Sequence, residues 1–378
     1  MNRSDHENTD DLEEWSDDYS GEVGENDALQ LLQQRGSQPV LSLTVLLAEE
    51  GLRFDRWLAQ HFPDVSRSRI QKWVADGCAT LDGKPCKTSH AVRTGQRVEI
   101  RPPVELAVND WGAEPSVLRG VEIVFEDAEV LVVNKPAGLV VHPAAGHADG
   151  TLVNGLLAHC SDLSKVARCG IVHRLDRDTT GLMVVAKTAA AQFSLVQQLQ
   201  QRSVSREYLA LVWGSVRKQT IRSLMGRDSR DRQRMAVLSE MRIDPLADEK
   251  NSDKPTGRGK EAITHIEPIA SGQLFGLAVT AVRCKLETGR THQIRVHMEH
   301  LGNPIVGDQT YSRRSPHASK LGGGYKELQH IMPHQALHAL RLHFKHPASG
   351  ERIDLKANPP ANFIELLNLA SIKLGKVF

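Results

Sequence analysis

The stretch HRLDRDTTGL, residues 173–182, is the most informative part of the chain, since a guanidinium and a carboxylate stand two residues apart just before a turn signal. Apolar runs flank it at 169–172 and 182–187, and both favour strands joined by a polar loop. Alternate residues of a strand face the same way, so we expect Arg174 and Asp176 to share a face. A carboxylate beside a guanidinium stays ionised, which suits a nucleophile better than a general acid. An ordinary ion pair at an Asp-rich turn explains the same residues equally well.

The composition of the whole chain is that of a soluble globular protein. The chain has 378 residues, of which 40% are hydrophobic and 25% are charged. No apolar run approaches the ~18 residues that cross a membrane, and no secretory segment opens the chain. The five cysteines are odd in number and include no CxxC pair. We therefore expect a reduced, cytoplasmic protein of two or three domains.

Charge is distributed unevenly along the chain. Residues 1–30 hold eleven acidic residues and one basic residue, a net charge of −10. Because the whole chain carries +1, the remainder carries +11. A segment so acidic and so poor in apolar residues is typical of disorder, and we assign residues 1–40 to an acidic tail. The basic remainder favours a polyanionic partner.

Residues 41–102 have the pattern of a small basic domain. Phe54, Trp57 and Leu58 form an apolar stripe at helical spacing. Ser66 then predicts the start of a second helix that ends before Gly77. This helix carries three basic residues, Arg67, Arg69 and Lys72. They fit either a nucleic-acid contact or an ordinary solvated helix face.

The remaining sequence predicts a linker at 103–118 and a large domain over 119–378. Short extended runs alternate with two amphipathic segments, which argues for an α+β fold with a mixed sheet. We expect strands at 121–125, 130–133 and 139–142, helices at 151–159 and 190–201, and a flexible insertion at 243–260.

A second chemistry-bearing stretch covers residues 205–213. Strand alternation places Arg206, Tyr208 and Ala210 on one face. An aromatic ring beside a cation suits stacking on a nucleobase. A tyrosine in the core of a sheet is the structural alternative.

A third stretch covers residues 286–298. The turn at 288–289 precedes a predicted helix that begins near Thr291 and ends before Gly302. Ile294, Met298 and Leu301 would form its buried stripe, whereas His292, Arg295 and Glu299 share another face. Arg295 would then reach inward to a carboxylate. A half-buried structural helix with routine ion pairs is the alternative.

Taken together, these stretches resemble a known family. GIVHRLDRDTTGLMVVAKT, SREYLALVWG and LETGRTHQIRVHMEHLGNPIVGDQTY occur in this order, with VLVVNKPAGLVVHP before them and QALHALRLHFKHP after them. They resemble the RluA/RluD family of RNA pseudouridine synthases. Residues 53–85, together with GQRVEI at 95–100, resemble an S4 domain, a small RNA-binding module. The resemblance implies a pseudouridine synthase fold, with a mixed, largely antiparallel central sheet and flanking helices, behind the S4 domain.

The resemblance also implies roles for single residues. Asp176 would be the catalytic aspartate, Arg174 would enter the RNA and hold the flipped nucleotide, and Tyr208 would stack on the uracil and assist proton removal from C5. Arg295 would pair with Asp176. Contacts to RNA are expected from Arg67, Arg69, Lys72, His173, Arg206 and Arg290. The family uses no metal or organic cofactor. Whether Asp176 attacks C1′, attacks uracil C6 or supports elimination stays open.

The family resemblance further implies the substrate and the partner. We expect uridines of large-subunit (23S) ribosomal RNA, in the helix 69 stem-loop, as free RNA or within a pre-ribosomal particle, and a monomeric enzyme. Two other functions fit parts of the sequence: an S4-domain ribosome assembly factor without catalysis, and a glycosidase with Asp176 and Asp178 as paired carboxylates. A metal site at His330, His334 and His338 is disfavoured because Pro333 interrupts the helix that would align them.

Overall fold

The computed structural model describes residues 41–62, 67–100, 111–143, 149–231, 234–240, 259–312 and 315–374. They form two compact units, one on either side of residues 101–110. The predicted acidic tail and residues 243–258 of the predicted insertion lie outside the described residues. Within the described ranges, none of the helices combines the length and apolar character that crossing a bilayer demands.

The smaller unit packs two helices on a three-stranded antiparallel sheet in the order β1-β3-β2. Its elements are β1 (Leu41–Thr44), α1 (Phe54–His61), α2 (Arg67–Ala75), β2 (Ala79–Leu81) and β3 (Arg97–Ile100). The predicted apolar stripe is buried, with Phe54, Trp57 and Leu58 each 0% exposed. Both helices therefore form where the apolar spacing predicts them. The predicted cap at Ser66 lies outside the described residues.

The larger unit is built on a ten-stranded sheet in the order β4-β5-β6-β12-β7-β11-β10-β8-β9, with β13 also paired to β12. Its strands are β4 (Glu122–Glu126), β5 (Val130–Lys135), β6 (Thr180–Ala186), β7 (Ser205–Trp213), β8 (Gln219–Arg227), β9 (Met235–Glu240), β10 (Lys260–Leu274), β11 (Leu277–Leu286), β12 (Leu337–Lys345) and β13 (Arg352–Lys356). Among the described strands, β6 and β12 run parallel and the other neighbours antiparallel. The predicted mixed, largely antiparallel α+β fold is confirmed.

Six α-helices of the larger unit are described: α3 (Leu152–His159), α4 (Ala189–Gln200), α5 (Gln293–His300), α6 (Pro316–Lys320), α7 (Gly324–Ile331) and α8 (Ala361–Leu369). The predicted helices at 151–159 and 190–201 thus form within one residue of their expected bounds. The helix expected near Thr291 begins two residues later, after His292, whose φ of 57° is left-handed.

Two predicted strands are wrong. Residues 169–172 form no strand, because positive φ values at Arg168, Cys169 and Gly170 turn the chain sharply there. Ile171 keeps one isolated bridge to Val185. Residues 139–142 also form no strand. Both strands were predicted from apolar character alone. A short apolar run indicates a buried segment, which need not be a strand.

The predicted linker extends too far toward the large domain. Pro115–Gly120 form a 3-10 helix. Trp111 and Leu118 pack against the core of the larger unit, and the Asn154 side chain donates to the Gly112 carbonyl at 2.8 Å. Residues 111–118 therefore belong to the larger unit.

Candidate active site

Asp176 lies in the loop that enters β6. The turn is closed by a hydrogen bond from the Thr179 amide to the Asp176 carbonyl, at 3.1 Å. Arg174 and Asp176 are therefore loop residues, and the expectation that a shared strand face aligns them is wrong. The Arg174 side chain is exposed, whereas Leu175 between them is buried. Leu175 thus anchors a loop that carries polar residues on either side.

The Asp176 carboxylate is paired with Arg295 on α5. Arg295 Nη1 donates to Asp176 Oδ2 at 3.0 Å, across 119 residues of sequence. The arginine side chain is 7% exposed, and the Asp176 side chain is 21% exposed. The inward reach that the sequence predicts for Arg295 is confirmed in the structure. The carboxylate remains accessible while its cationic partner is buried.

Asp308, which the sequence analysis missed, holds the other side of the same guanidinium. Arg295 Nε and Nη2 donate to the two Asp308 oxygens at 2.7 and 3.0 Å. Backbone amides of Thr310 and Tyr311 donate to Asp308 Oδ1 at 2.9 and 3.0 Å. Planar, two-pronged contacts of this kind fix a guanidinium in one orientation. Asp308 follows Gly307 in the motif LETGRTHQIRVHMEHLGNPIVGDQTY, and this turn was the available signal.

Charge in the site keeps Asp176 ionised. Burial by itself would raise the pKa of this carboxyl, but His292, Arg295 and Arg174 outweigh burial and hold the pKa below its usual value. Burial also lowers the pKa of His292, so its ring is neutral near pH 7. The two arginines therefore carry the effect at neutral pH. An ionised, accessible carboxylate is suited to act as a nucleophile or to stabilise a developing cation.

Lys135, at the end of β5, is a second buried cation beside the site. Its side chain donates to the carbonyls of Pro136, Leu139 and Arg177 at 2.8–3.0 Å. Burial lowers its pKa to about 7, with Asp176 acting in the opposite direction. The contact with the Arg177 carbonyl ties the loop after Asp176 to β5. Lys135 was not singled out from sequence.

Tyr208 lies in the middle of β7 and is 6% exposed. Burial raises the pKa of its hydroxyl, Arg206 lowers it and the Asp176 carboxylate raises it further. The phenol is therefore neutral at physiological pH. The core reading of this tyrosine applies, since the ring is buried in the sheet. Stacking of the ring on a nucleobase stays a prediction.

Two predicted RNA contacts, Arg206 and Arg290, lie near the start of α5. Arg206 is 8% exposed, and its Nη2 donates to the Glu287 carbonyl at 3.4 Å. Arg290 Nε donates to the Glu261 carbonyl at 3.0 Å. A side chain at Gly289 would collide with the Arg206 guanidinium. Contact of these two residues with RNA stays a prediction.

His173 is half-buried and holds the loop to the sheet. Its Nε2 accepts a hydrogen bond from the Val184 amide at 3.1 Å. Burial lowers its pKa to about 3, so the ring is neutral and offers no charge to a phosphate. Its predicted contact with RNA is not tested by these bonds.

Of the predicted RNA-binding residues on α2, Lys72 has an exposed side chain. The side chains of Arg67 and Arg69 lie outside the described residues.

The histidines of the alternative metal site lie on different elements of the fold. His330 lies on α7, whereas His338 lies on β12, where it bonds Thr180 Oγ1 at 2.8 Å and the Ala357 carbonyl at 2.9 Å. The Asp178 carboxylate pairs with the neighbouring Arg177 guanidinium at 3.2 Å. A cleft of about 460 Å³ adjoins Arg295 and is lined in part by Arg177 and Asp178.

The chain is similar to known proteins over most of its length. The sequence model described as RNA pseudouridylate synthase matches residues 129–300, and that of the S4 domain matches residues 52–98. "Ribosomal large subunit pseudouridine synthase D" of Pseudomonas aeruginosa is 45% identical over 84% of this chain and 92% of its own length. The Neisseria meningitidis serogroup A protein of the same name is 43% identical over 89% and 83%.

Two further matches extend the comparison. "Uncharacterized RNA pseudouridine synthase YlyB" of Bacillus subtilis is 42% identical over 86% of this chain and 97% of its own length. The solved structure of "Human RNA Pseudouridylate Synthase Domain Containing 4" covers 68% of this chain and 95% of its own, at 24% identity and a TM-score of 0.51. At that identity the structural likeness concerns the fold alone.

Proposed function

This chain belongs to the RNA pseudouridylate synthase family and is an isomerase, and we propose that it converts specific uridines of large-subunit (23S) ribosomal RNA into pseudouridine. One observation carries the proposal for the site: an accessible, ionised Asp176 is held by a buried Arg295. The names of the similar proteins from Pseudomonas aeruginosa and Neisseria meningitidis support the choice of substrate.

The reaction requires the protein to guide a series of steps. The target nucleotide leaves the RNA stack, which costs a few kcal/mol. The bond between ribose C1′ and uracil N1 then breaks, the uracil turns, and C1′ bonds to C5. The C5 proton is lost and N1 gains one, so substrate and product are isomers. No oxidant, reductant or energy source enters this balance.

Asp176 acts at the glycosidic bond in the proposed mechanism. An ionised carboxylate attacks or stabilises the electron-poor centre that forms as this bond breaks. Arg295 maintains the charge of Asp176 and its orientation, and Asp308 fixes Arg295 from the other side. Since the guanidinium is bound to two carboxylates, it stays in place while Asp176 reacts.

Tyr208 and Arg174 act on the nucleotide itself in this proposal. The Tyr208 ring offers the detached uracil a face for stacking. Its raised pKa keeps the hydroxyl protonated, which favours the stacking role over that of a pre-ionised base at C5. The exposed Arg174 enters the RNA and occupies the place that the flipped nucleotide leaves.

The smaller unit supplies affinity for structured RNA. It matches the S4 family over residues 52–98, and Lys72 on α2 is exposed. Duplex RNA is recognised mostly through its phosphates and shape. We place the target uridines in the helix 69 stem-loop, in free RNA or in a pre-ribosomal particle. We also place the enzyme in the cytoplasm, as a monomer.

Mapping of pseudouridines in large-subunit ribosomal RNA tests the proposal. Deletion of the gene is expected to remove specific pseudouridines, which the wild-type gene restores and the Asp176→Asn variant does not. Persistence of every pseudouridine after deletion would refute the substrate. A catalytically silent assembly factor would also leave the pseudouridines in place. It differs in that its Asp176→Asn variant would restore any assembly defect.

A further inference from the structure

We infer that Arg234, at the base of the β8–β9 hairpin, is a positioning residue that acts on Arg295 through Tyr311. The Arg234 side chain is 14% exposed, and its Nη2 pairs with Glu299 Oε1 on α5. Its guanidinium carbon lies 4.9 Å from the centre of the Tyr311 ring. The hairpin is therefore attached both to the helix that carries Arg295 and to the aromatic ring beside it. The inference rests on the proposed function.

Tyr311 connects the hairpin with the reaction centre. Its ring centre lies 5.0 Å from the guanidinium carbon of Arg295. Its hydroxyl accepts a hydrogen bond from the Met235 amide at 3.0 Å and lies 2.9 Å from His292 Nδ1. Its own amide donates to Asp308 Oδ1 at 3.0 Å. One buried residue, 2% exposed, thus contacts the hairpin, the start of α5 and both partners in the Arg295–Asp308 pair.

The contacts explain how a residue outside the reaction centre affects the reaction. Arg295 reaches Asp176 by one nitrogen and Asp308 by two others, so a small tilt of the guanidinium plane lengthens the bond to Asp176. The Tyr311 ring blocks such a tilt from one direction. Arg234 and the Met235 amide hold that ring in place. A displacement of about 1 Å in such a position costs about 100-fold in rate.

Arg234 has a matched control on the same hairpin. Arg230 carries the same charge and lies exposed near the turn, where its amide donates to Asp228. Arg230→Gln therefore removes one positive charge from the hairpin without touching Tyr311. Arg234→Lys preserves a cation for both Glu299 and the ring, and serves as the rescuing variant.

The kinetic experiment separates turnover from RNA affinity. The full-length wild type, Arg234→Gln, Arg234→Lys and Arg230→Gln convert large-subunit ribosomal RNA transcript, and kcat and KM are measured separately. We expect Arg234→Gln to lower kcat about 10-fold with KM within about twofold, part of an effect that reaches about 100-fold for a full displacement. Arg234→Lys should recover most of the loss, and Arg230→Gln should keep kcat. An unchanged kcat in Arg234→Gln, or an equal loss in Arg230→Gln, would overturn the inference.

A second measurement needs no substrate. The Nε–H resonance of Arg295 is recorded by nitrogen-15 NMR in the unliganded enzyme and assigned with Arg295→Lys. Because this group lies beside the Tyr311 ring, Arg234→Gln should shift its resonance and Arg230→Gln should not. An unmoved resonance in Arg234→Gln contradicts the positioning role even if the wild type fails to modify this RNA. Inactivity of the wild type with a shifted resonance refutes the substrate alone.

Discussion

Two aspartate–arginine pairs, one in each unit, have opposite exposures. In the smaller unit Asp55 is 0% exposed and its partner Arg53, at 3.0 Å, is 52% exposed. In the larger unit the arginine is hidden, with Arg295 at 7%, and Asp176 at 21% is the accessible partner. The same two residue types therefore build one pair whose acid is covered and one whose acid is open to a ligand.

The difference follows from what each arginine contacts. Arg295 is fixed by a second carboxylate, Asp308, and so stays in place without Asp176. Asp55 is instead a shared acceptor, since both Arg53 and Gln71 donate to its carboxylate, at 3.0 and 3.3 Å. Removing Asp55 thus leaves donors without their acceptor, whereas removing the charge of Asp176 leaves the surrounding frame intact.

The largest expected effect is that of Asp176→Asn. In the proposed mechanism Asp176 supplies the carboxylate that acts on the nucleotide, so its loss should reduce turnover by at least about 10³-fold. RNA affinity should stay within a few-fold, as measured by filter binding. The thermal midpoint should change little, since the substituted side chain is partly exposed. Retained turnover in this variant would refute the catalytic assignment.

Arg295→Gln comes next, and it should affect both rate and stability. We expect a loss in kcat of about 100-fold from misplacement of Asp176. The buried Asp308 is left without its charged partner, which should cost about 3–5 kcal/mol of unfolding free energy. Chemical denaturation followed by circular dichroism measures the second effect. A variant with normal stability would show that the backbone amides of Thr310 and Tyr311 suffice to hold the Asp308 carboxylate.

The same variant should change the dependence on pH. In the wild type the pKa of Asp176 is below its usual value, so turnover and the stability it contributes are retained down to that usual value and lost as pH falls through the lowered pKa. Arg295→Gln removes a charge and a hydrogen bond that lower the pKa of Asp176, so this pKa rises and the acid limb of kcat should move to higher pH. A pH–rate profile of both proteins compares them. Coincident acid limbs would exclude Asp176 as the group that titrates.

Asp55→Asn should have a smaller effect, confined to the smaller unit. We expect a loss of about 1–3 kcal/mol in unfolding free energy, because the buried acid loses charged hydrogen bonds. At saturating RNA, kcat should be unchanged, whereas KM should rise as the unit that binds structured RNA is weakened. A lowered kcat at saturation would mean that this unit takes part in the chemistry.

The smallest effect is expected where both partners are accessible. Arg341 and Asp354 pair across β12 and β13 at 2.7 Å, with side chains 36% and 29% exposed. Solvent screens such a pair, and Arg341→Gln should cost less than about 1 kcal/mol. Thermal melting of the wild type and the variant, in low and in high salt, measures this loss of stability. A larger, salt-independent loss would show that exposure is a poor guide to the value of these pairs.

Local sequence patterns predicted the regular elements well and the loops poorly. The apolar stripe of α1, the strand at 182–187 and the helices at 151–159 and 190–201 all form near their expected bounds. Residues 169–172 and 139–142 have the same apolar character and form no strand. At 169–172 the left-handed backbone of Arg168 and Cys169 turns the chain away from extended geometry, which apolar character alone does not reveal.

By itself, the sequence determined which chemical groups the site contains and which family shares them. Asp176, Tyr208 and Arg295 were identified from residue type, spacing and motif, all of which are local properties. Tertiary structure alone decided that Asp308 binds Arg295 and that Lys135 donates to the loop after Asp176. It also decided that Asp176, and not Arg295, is the accessible partner of the pair. These facts depend on contacts between distant segments, 119 residues apart for Asp176 and Arg295. The burial of a side chain depends on the distant segments that pack around it, and the local periodicity of the sequence does not specify those segments.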